Sequence, residues 1–229
     1  MSVAEAARIE RRAGRAHVLF TARGDGNLST LAGLDAEHGA QRRERLAQEL
    51  ALRRLCAGPQ VHGTDVDVIS SGEPRGARPL ERPADARITA LSEVGAMVLA
   101  ADCMPIALIA GHSVGAVHAG WRGLAAGVLE AALARCRELD GLPVSRAVIG
   151  PSAGPCCYEV GPDVFASFGL PGAAARTIDL RAIAVERLEG AGVGEVEVID
   201  RCTICDERYF SHRREGALAG RQAVILWRS

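Results

Sequence analysis

Lysine is absent from this 229-residue chain, so arginine supplies all 27 basic side chains. With Ala and Gly also abundant, the bias is that of a GC-rich genome. It assigns no function, because bidentate phosphate binding by arginine depends on position and not on number. Net charge is missing too: 28 acidic residues leave a formal balance of −1. That excludes the basic footprint of a nucleic-acid-binding protein. No apolar run could span a bilayer, since the longest, around 97–110, is broken by Asp102 and Pro105. Residues 1–15 are polar and carry Arg and Glu, without the hydrophobic segment of a signal peptide. A reducing cytoplasm, away from membranes, is the expected location. There, seven cysteines, an odd count, point to reactive or metal-binding roles ahead of a disulfide framework. Walker and Rossmann glycine patterns are absent. The six histidines include no His-x-His pair, which speaks against the copper clusters of a multicopper enzyme.

What is present reads as one soluble globular unit, with 48% hydrophobic and 24% charged residues. Residues 1–16 read as a flexible, charged lead-in and 17–229 as a single α/β domain with a mixed sheet. A first strand at 17–21 runs into a Gly/Asp/Asn loop that places Arg23 at a strand end. Residues 41–56, with leucines at 46, 50, 52 and 55 among Arg and Glu, predict an amphipathic helix. The second half of 60–69 alternates apolar and polar residues as a half-buried strand, and His62 and Gly63 precede the alternation. The Gly-, Pro- and Arg-rich segment 70–84 reads as a surface connector.

The informative stretch is 97–123. Apolar runs at 97–101, 106–110 and 114–117 flank Asp102-Cys103-Met104-Pro105 and end in His118. Short apolar runs bounded by Gly and Pro predict buried strands, and here no room is left for a helix between them, so a hairpin or mixed sheet is implied. A helix is expected over 121–139. His62, Cys103 and His118 then all fall at strand ends. Two imidazoles and a thiolate are a sensible zinc set, and three protein ligands leave a fourth position open, as in catalytic sites. The competing reading is a core cysteine and satisfied histidines. Cys202-x-x-Cys205 lacks the helix of a redox motif, and the vicinal Cys156-Cys157 is poorly shaped as a partner for a zinc knuckle, so the pair reads as structural. The glycines of His118-Ala119-Gly120-Trp121-Arg122-Gly123 open a helix, either as an anion cradle or as a tight turn.

These motifs carry a resemblance. Gln60-Val61-His62-Gly63, Ala101-Asp102-Cys103-Met104-Pro105 and His118-Ala119-Gly120-Trp121-Arg122-Gly123 resemble the bacterial laccase-domain family. That family is variously called polyphenol oxidase-like proteins, purine nucleoside phosphorylases and peptidoglycan editing factors. Ile149-Gly150-Pro151, Tyr158-Glu159-Val160-Gly161, Cys202-Thr203 and Phe210-Ser211 with Arg213-Arg214 extend the match from about Thr21 to Leu226. The resemblance implies a four-layer α/β/β/α sandwich with one zinc on His62, Cys103 and His118. It implies phosphorolysis of adenosine, inosine, guanosine and methylthioadenosine, with phosphate as co-substrate, and adenosine deamination. It also implies a phosphate- or substrate-holding arginine at Arg43, where Arg42 replaces the family's Asn, and it likens Arg23 to an arginine of an early glycine loop. If the turn is an anion cradle, Gly120 and Arg122 are its binding residues. Asp102 is placed either as a proton shuttle or as a carboxylate orienting a metal ligand.

Three alternatives stay open. Cys103 activated by His118 would make a cysteine amidase, a hydrolase suited to editing peptidoglycan precursors. Copper in place of zinc would make a polyphenol oxidase. A structural zinc would recruit a fourth ligand such as His112, His212 or Cys205. The sequence does not set the oligomeric state, and a monomer is compatible with it.

Overall fold

A computed structural model describes residues 7–70, 82–171 and 176–229. Two mixed sheets pack face to face, and helices cover both outer surfaces. The first sheet has the order β1 (Ile9–Ala13), β2 (Ala16–Phe20), β11 (Gln222–Arg228), β6 (Val94–Ala100), β3 (Arg54–Cys56). The second runs β10 (Glu195–Val198), β9 (Arg146–Ile149), β7 (Met104–Ile109), β8 (Val114–Ala119), β5 (Ala86–Thr89), β4 (Val66–Ile69).

Alternation within the central strands shows why they read as unbroken apolar runs. In β6, Val94, Ala96 and Val98 face the inter-sheet core together with Val224 and Leu226 of β11 and Ala107, Ile109, Val114 and Ala116 of the second sheet. The opposite side of the first sheet, including Met97 and Ile225, packs on Leu46 of α1 (Gly39–Glu49). On the far side of the second sheet, Ile106, Leu108 and Val117 meet Leu129, Ala132 and Cys136 of α3 (Val128–Asp140) and Ala184 and Leu188 of α5 (Leu180–Gly190). Strands buried on both faces have no polar face to alternate with. The layers are therefore α/β/β/α in a single domain, as the resemblance implies. Among the described residues no helix is long and apolar enough to cross a membrane.

Several local expectations are corrected. The lead-in over 1–16 is not free throughout: Ile9–Ala13 is an edge strand paired antiparallel with β2. Its inward residues are half-buried while Glu10 and Arg12 face solvent, and charged residues on an edge strand hinder unwanted pairing. The helix expected over 41–56 stops at Glu49, because Ala51 turns left-handed at φ 52°. Residues 54–56 continue as β3, parallel to β6. The helix expected over 121–139 is two, α2 (Trp121–Ala126) and α3, parted at Gly127 with φ 99°. Residues 71–81 of the segment read as a connector lie outside the described residues. Asp179 caps the helix Leu180–Gly190, its carboxylate accepting from the N–H groups of Arg181 and Ala182 at 3.0 and 3.1 Å.

Strands β7 and β8 form the implied hairpin, with Pro105 opposite His118. Strand β6 belongs to the other sheet. Residues 101–103 are thus the point where the chain crosses from one sheet to the other, and Asp102 makes that crossing with φ 87°.

Candidate metal centre and its cleft

The centre grows from one buried carboxylate. Asp85 directly precedes β5, which pairs antiparallel with β8, so Asp85 comes beside His118. The His118 N–H donates to the Asp85 carbonyl at 2.7 Å. The His118 ring donates Nδ1–H to Asp85 Oδ1 at 2.8 Å. That bond leaves Nε2, which faces Cys103, as the ring nitrogen available to a metal. The same carboxylate accepts the backbone N–H groups of Val61, His62 and Gly63 at 3.0, 3.0 and 2.8 Å. It thereby holds His62 in a left-handed conformation, φ 59°, that a non-glycine residue adopts only under such constraint. Asp85 is fully buried. Burial pushes its carboxyl up, but His118 and the Gly63 and Val61 amides outweigh that and hold it below the usual range.

Cys103 arrives from the sheet crossing. Its Sγ lies 3.8 Å from His62 Nε2, and the two imidazoles meet edge to face at 4.9 Å between ring centres. The donor atoms of His62, Cys103 and His118 all lie within 4.8 Å of one another. Ligands on one tetrahedral zinc stand about 3.3–3.6 Å apart, from Zn–N near 2.0–2.1 Å and Zn–S near 2.3 Å, so this set fits the ion with small adjustments. Among the described residues the group contains no fourth protein donor, and neither His112, His212 nor Cys205 joins it. Gly120 makes the approach possible, since a Cβ there would stand 2.8 Å from His62 Cδ2 and 2.9 Å from Cys103 Sγ. Without metal the donors polarise one another. Burial pushes the Cys103 thiol up, but His118 and His62 beside it bring it down to about 6. Burial pushes His118 down, but the Cys103 thiolate and Asp85 bring it up to about 9.

All three donors line a cleft of about 790 Å³. Arg43, Arg122, Arg213 and Arg221 line it too, with Trp121 and Tyr158 as its aromatic surfaces. Arg43 is anchored by donating Nε–H to the Leu28 carbonyl at 2.7 Å. Arg122 lies over the Trp121 ring at 4.3 Å, and Arg213 over Tyr158 at 4.7 Å. Arg221 donates to the carbonyls of Ala219 and Gly220 at 2.6 and 2.9 Å. A comparable groove along α5, lined by Arg181, Val185 and Glu189, brings no such donors together.

The structure redistributes several candidate residues. Arg23 is not brought into the cleft. It donates to the carbonyls of Glu207 and Tyr209 at 2.8 and 3.1 Å, pairs with Glu215 and lies 4.5 Å over Phe210, tying the first loop to the C-terminal segment. Asp102 lines the cleft, but its carboxylate accepts from Thr203 Oγ1 and the Arg213 N–H, both at 2.7 Å. The carboxylate that orients His62 and His118 is Asp85, which no motif or spacing marks in the sequence. Gly120 caps α2, but at six residues that helix offers little macrodipole for an anion. The role of Gly120 is the close approach of the ligands. Tyr158, Arg213 and Arg221 join the cleft without a local signal of that role, although Tyr158 and Arg213 fall in motifs that the sequence displays.

Comparison with known proteins follows the same lines. A family described as multi-copper polyphenol oxidoreductase laccase matches residues 6–229. A Xylella fastidiosa protein named purine nucleoside phosphorylase is 40% identical over 220 residues, spanning 88% of this chain and 83% of its own. The Escherichia coli protein YfiH, also named purine nucleoside phosphorylase, is 35% identical over 218 residues, spanning 88% and 85%. The crystal structure of YlmD from Geobacillus stearothermophilus superposes with a TM-score of 0.83 at 30% identity, covering 94% of this chain and 92% of that one. A Neisseria meningitidis protein gives 0.82 at 31% identity, over 97% and 99%.

Proposed function

The chain belongs to the multi-copper polyphenol oxidoreductase laccase family, and from that membership we propose that it is a zinc-dependent purine nucleoside phosphorylase of the cytoplasm. Its substrates in this reading are adenosine, inosine, guanosine and methylthioadenosine with inorganic phosphate, and adenosine deamination is a side activity. The relatives' names support the phosphorylase reading. One observation carries it on this chain: the three donors form the wall of a cleft that also holds four arginines and two aromatic rings. A metal held there faces the substrate and is not sealed in by protein.

Zinc bound by His62, Cys103 and His118 supplies Lewis acidity toward an oxygen in the cleft. The chain's own groups do the rest. Arg43, with Arg122, Arg213 and Arg221, neutralises and orients phosphate through charge-assisted hydrogen bonds. Tyr158 and Trp121 offer flat surfaces for the purine. Phosphate oxygen attacks C1′ of the ribose as the bond to the purine nitrogen breaks, giving ribose 1-phosphate and the free base. In deamination, water oxygen replaces the 6-amino group and ammonia leaves. In this reading Asp102, at the cleft wall with its carboxylate hydrogen-bonded by Thr203 and Arg213, shuttles protons in that step.

Copper is the weaker metal. Among the described residues only one donor cluster holds more than one histidine, whereas oxygen-reducing copper enzymes need several. A cysteine amidase acting on peptidoglycan precursors has one observation in its favour, the depressed Cys103 thiol backed by His118 and Asp85. That reading leaves His62 idle, although Asp85 holds its backbone in a strained conformation beside the thiol. The test is phosphorolysis of adenosine and inosine, with metal analysis, on the isolated protein, the chelator-stripped protein and Cys103→Ala. Loss of one zinc together with activity in Cys103→Ala is expected. Phosphorolysis by metal-free Cys103→Ala protein would overturn the proposal, and covalent trapping of Cys103 by an electrophile in zinc-loaded protein would favour the amidase.

A further inference from the structure

Four more thiols converge away from the histidines. The Sγ atoms of Cys156, Cys157, Cys202 and Cys205 all lie within 4.8 Å of one another. Cys205 Sγ stands 2.9 Å from that of Cys157 and 3.6 Å from that of Cys156. The vicinal pair is brought into position by a tight turn, in which the N–H groups of Cys157 and Tyr158 both donate to the Gly154 carbonyl, at 3.1 and 3.0 Å. The second pair sits on a knuckle closed by the Asp206 N–H donating to the Cys202 carbonyl at 2.9 Å. A parallel bridge between Ser152 and Cys202 clamps the two loops side by side.

The surroundings suit a bound thiolate. Cys202 Sγ accepts the Gly154 N–H at 3.3 Å and further backbone N–H groups from Ile204 and Cys205. Amide donors aimed at sulfur stabilise its negative charge. A Cβ on Gly154 would stand 3.2 Å from Cys202 Cβ and 3.4 Å from Cys156 Sγ, so a glycine lets the two cysteines approach from either loop. Four sulfurs around one tetrahedral zinc, with Zn–S near 2.3 Å, stand about 3.8 Å apart; the Cys156–Cys205 separation of 3.6 Å is near that value, the Cys157–Cys205 separation of 2.9 Å is shorter, and all four lie within 4.8 Å. A single disulfide would employ two of the four and give the others no reason to be there.

We propose that Cys156, Cys157, Cys202 and Cys205 form a second metal site, a closed four-thiolate zinc that staples the two loops together. Each thiol surrenders its proton to solvent as its sulfur binds. With all four positions filled by protein, the ion has no place for substrate, and its role is structural. The staple acts on the cleft from behind. Tyr158, next to Cys157, lines the cleft, and Thr203, between the knuckle cysteines, holds Asp102.

The site is tested separately from the catalytic reading by comparing protein purified under reductant as wild type, Cys103→Ala and Cys157→Ser/Cys205→Ser. Two zinc ions per chain are expected in the wild type and one in each variant. X-ray absorption on Cys103→Ala, which keeps the quartet intact, should give four sulfur neighbours at about 2.3 Å. That measurement decides the matter even if the double variant does not fold. Cobalt-loaded Cys103→Ala should show sulfur-to-cobalt charge-transfer bands several-fold more intense than those of the double variant, in which Cys103 supplies the one thiolate of the other site. A Cys103→Ala protein without zinc, or peptide mapping that finds Cys157 and Cys205 oxidised to a disulfide in the reductant-purified chain, would overturn the proposal. Failure of phosphorolysis would leave these readouts untouched.

Discussion

Replacing Asp85 by Asn tests whether one carboxylate organises the centre. The wild-type side chain accepts four hydrogen bonds, from three consecutive amides and the His118 ring. Asparagine keeps one acceptor oxygen and turns an NH2 group toward donors that have no other partner. Hydrogen bonds to a buried charge contribute about 1.5–3 kcal/mol each, and breaking a buried ion pair costs about 3–5 kcal/mol. Losing the two bonds on the replaced oxygen comes to about 3–6 kcal/mol, which overlaps the ion-pair figure and sets the expected loss at about 3–5 kcal/mol. For a chain of this size each kcal/mol moves Tm by about 2–4 °C, giving a fall of roughly 6–20 °C by calorimetry. The metal reports separately: loss of the residue that orients two ligands should weaken zinc at His62, Cys103 and His118 by roughly 10–100-fold in a chelator competition. The four-cysteine zinc, whose ligands Asp85 does not touch, serves as the internal control. An Asp85→Asn protein within about 2 °C of wild type, with unchanged zinc affinity, would refute the reasoning.

Gly120→Ala should remove metal without unfolding the chain. Its Cβ would meet His62 and Cys103 at 2.8 and 2.9 Å, and restoring ordinary 3.4 Å contact needs movement of about 0.5 Å. Metal–ligand distances tolerate only about 0.2 Å, so zinc titration should show at least about tenfold weaker binding, and wild-type zinc content would contradict the close-approach account. The two candidate arginines should separate in kinetics. Arg43→Ala is expected to raise the KM for phosphate by roughly 10–100-fold, the equivalent of a lost charge-assisted bond. Arg23→Ala should leave that KM unchanged while lowering stability by about 1 kcal/mol, given its partly exposed partners. A phosphate effect from Arg23→Ala alone would reverse the assignment.

Legibility in the sequence followed the strength of the local signal. The strands within 97–117 are legible because burial on both faces leaves unbroken Val, Ile, Leu and Ala, and His62, Cys103 and His118 are legible from their strand-end placement and the motifs that hold them, the structure bringing their donor atoms within 4.8 Å of one another. Residues 9–13 were read as a lead-in because an edge strand with Arg and Glu outward resembles a charged tail. Residues 54–56 were read as helix because Leu52 and Leu55 continue a leucine spacing that Ala51 interrupts in space, though alanine gives no sign of a left-handed turn. Asp85 was invisible for another reason. It follows a Pro-rich segment and owes its role to strand pairing with β8, a long-range fact that no local pattern carries. The vicinal cysteines failed in the same way, since their partners come from a loop clamped beside them by a single bridge.

The crossing at residues 101–103 gives the thiol a dual allegiance. Strand β6 fixes one side of Cys103 within the first sheet, whereas both histidines hang from Asp85 and the second. A folding intermediate with the second sheet alone would hold Cys103 only through its neighbour Met104 in β7, without the β6 side that fixes the crossing, and a small slide of one sheet over the other would open the donor set before any strand melted. Retention of the metal therefore gauges the registration of the whole sandwich, and zinc release during gentle heating should precede loss of secondary structure.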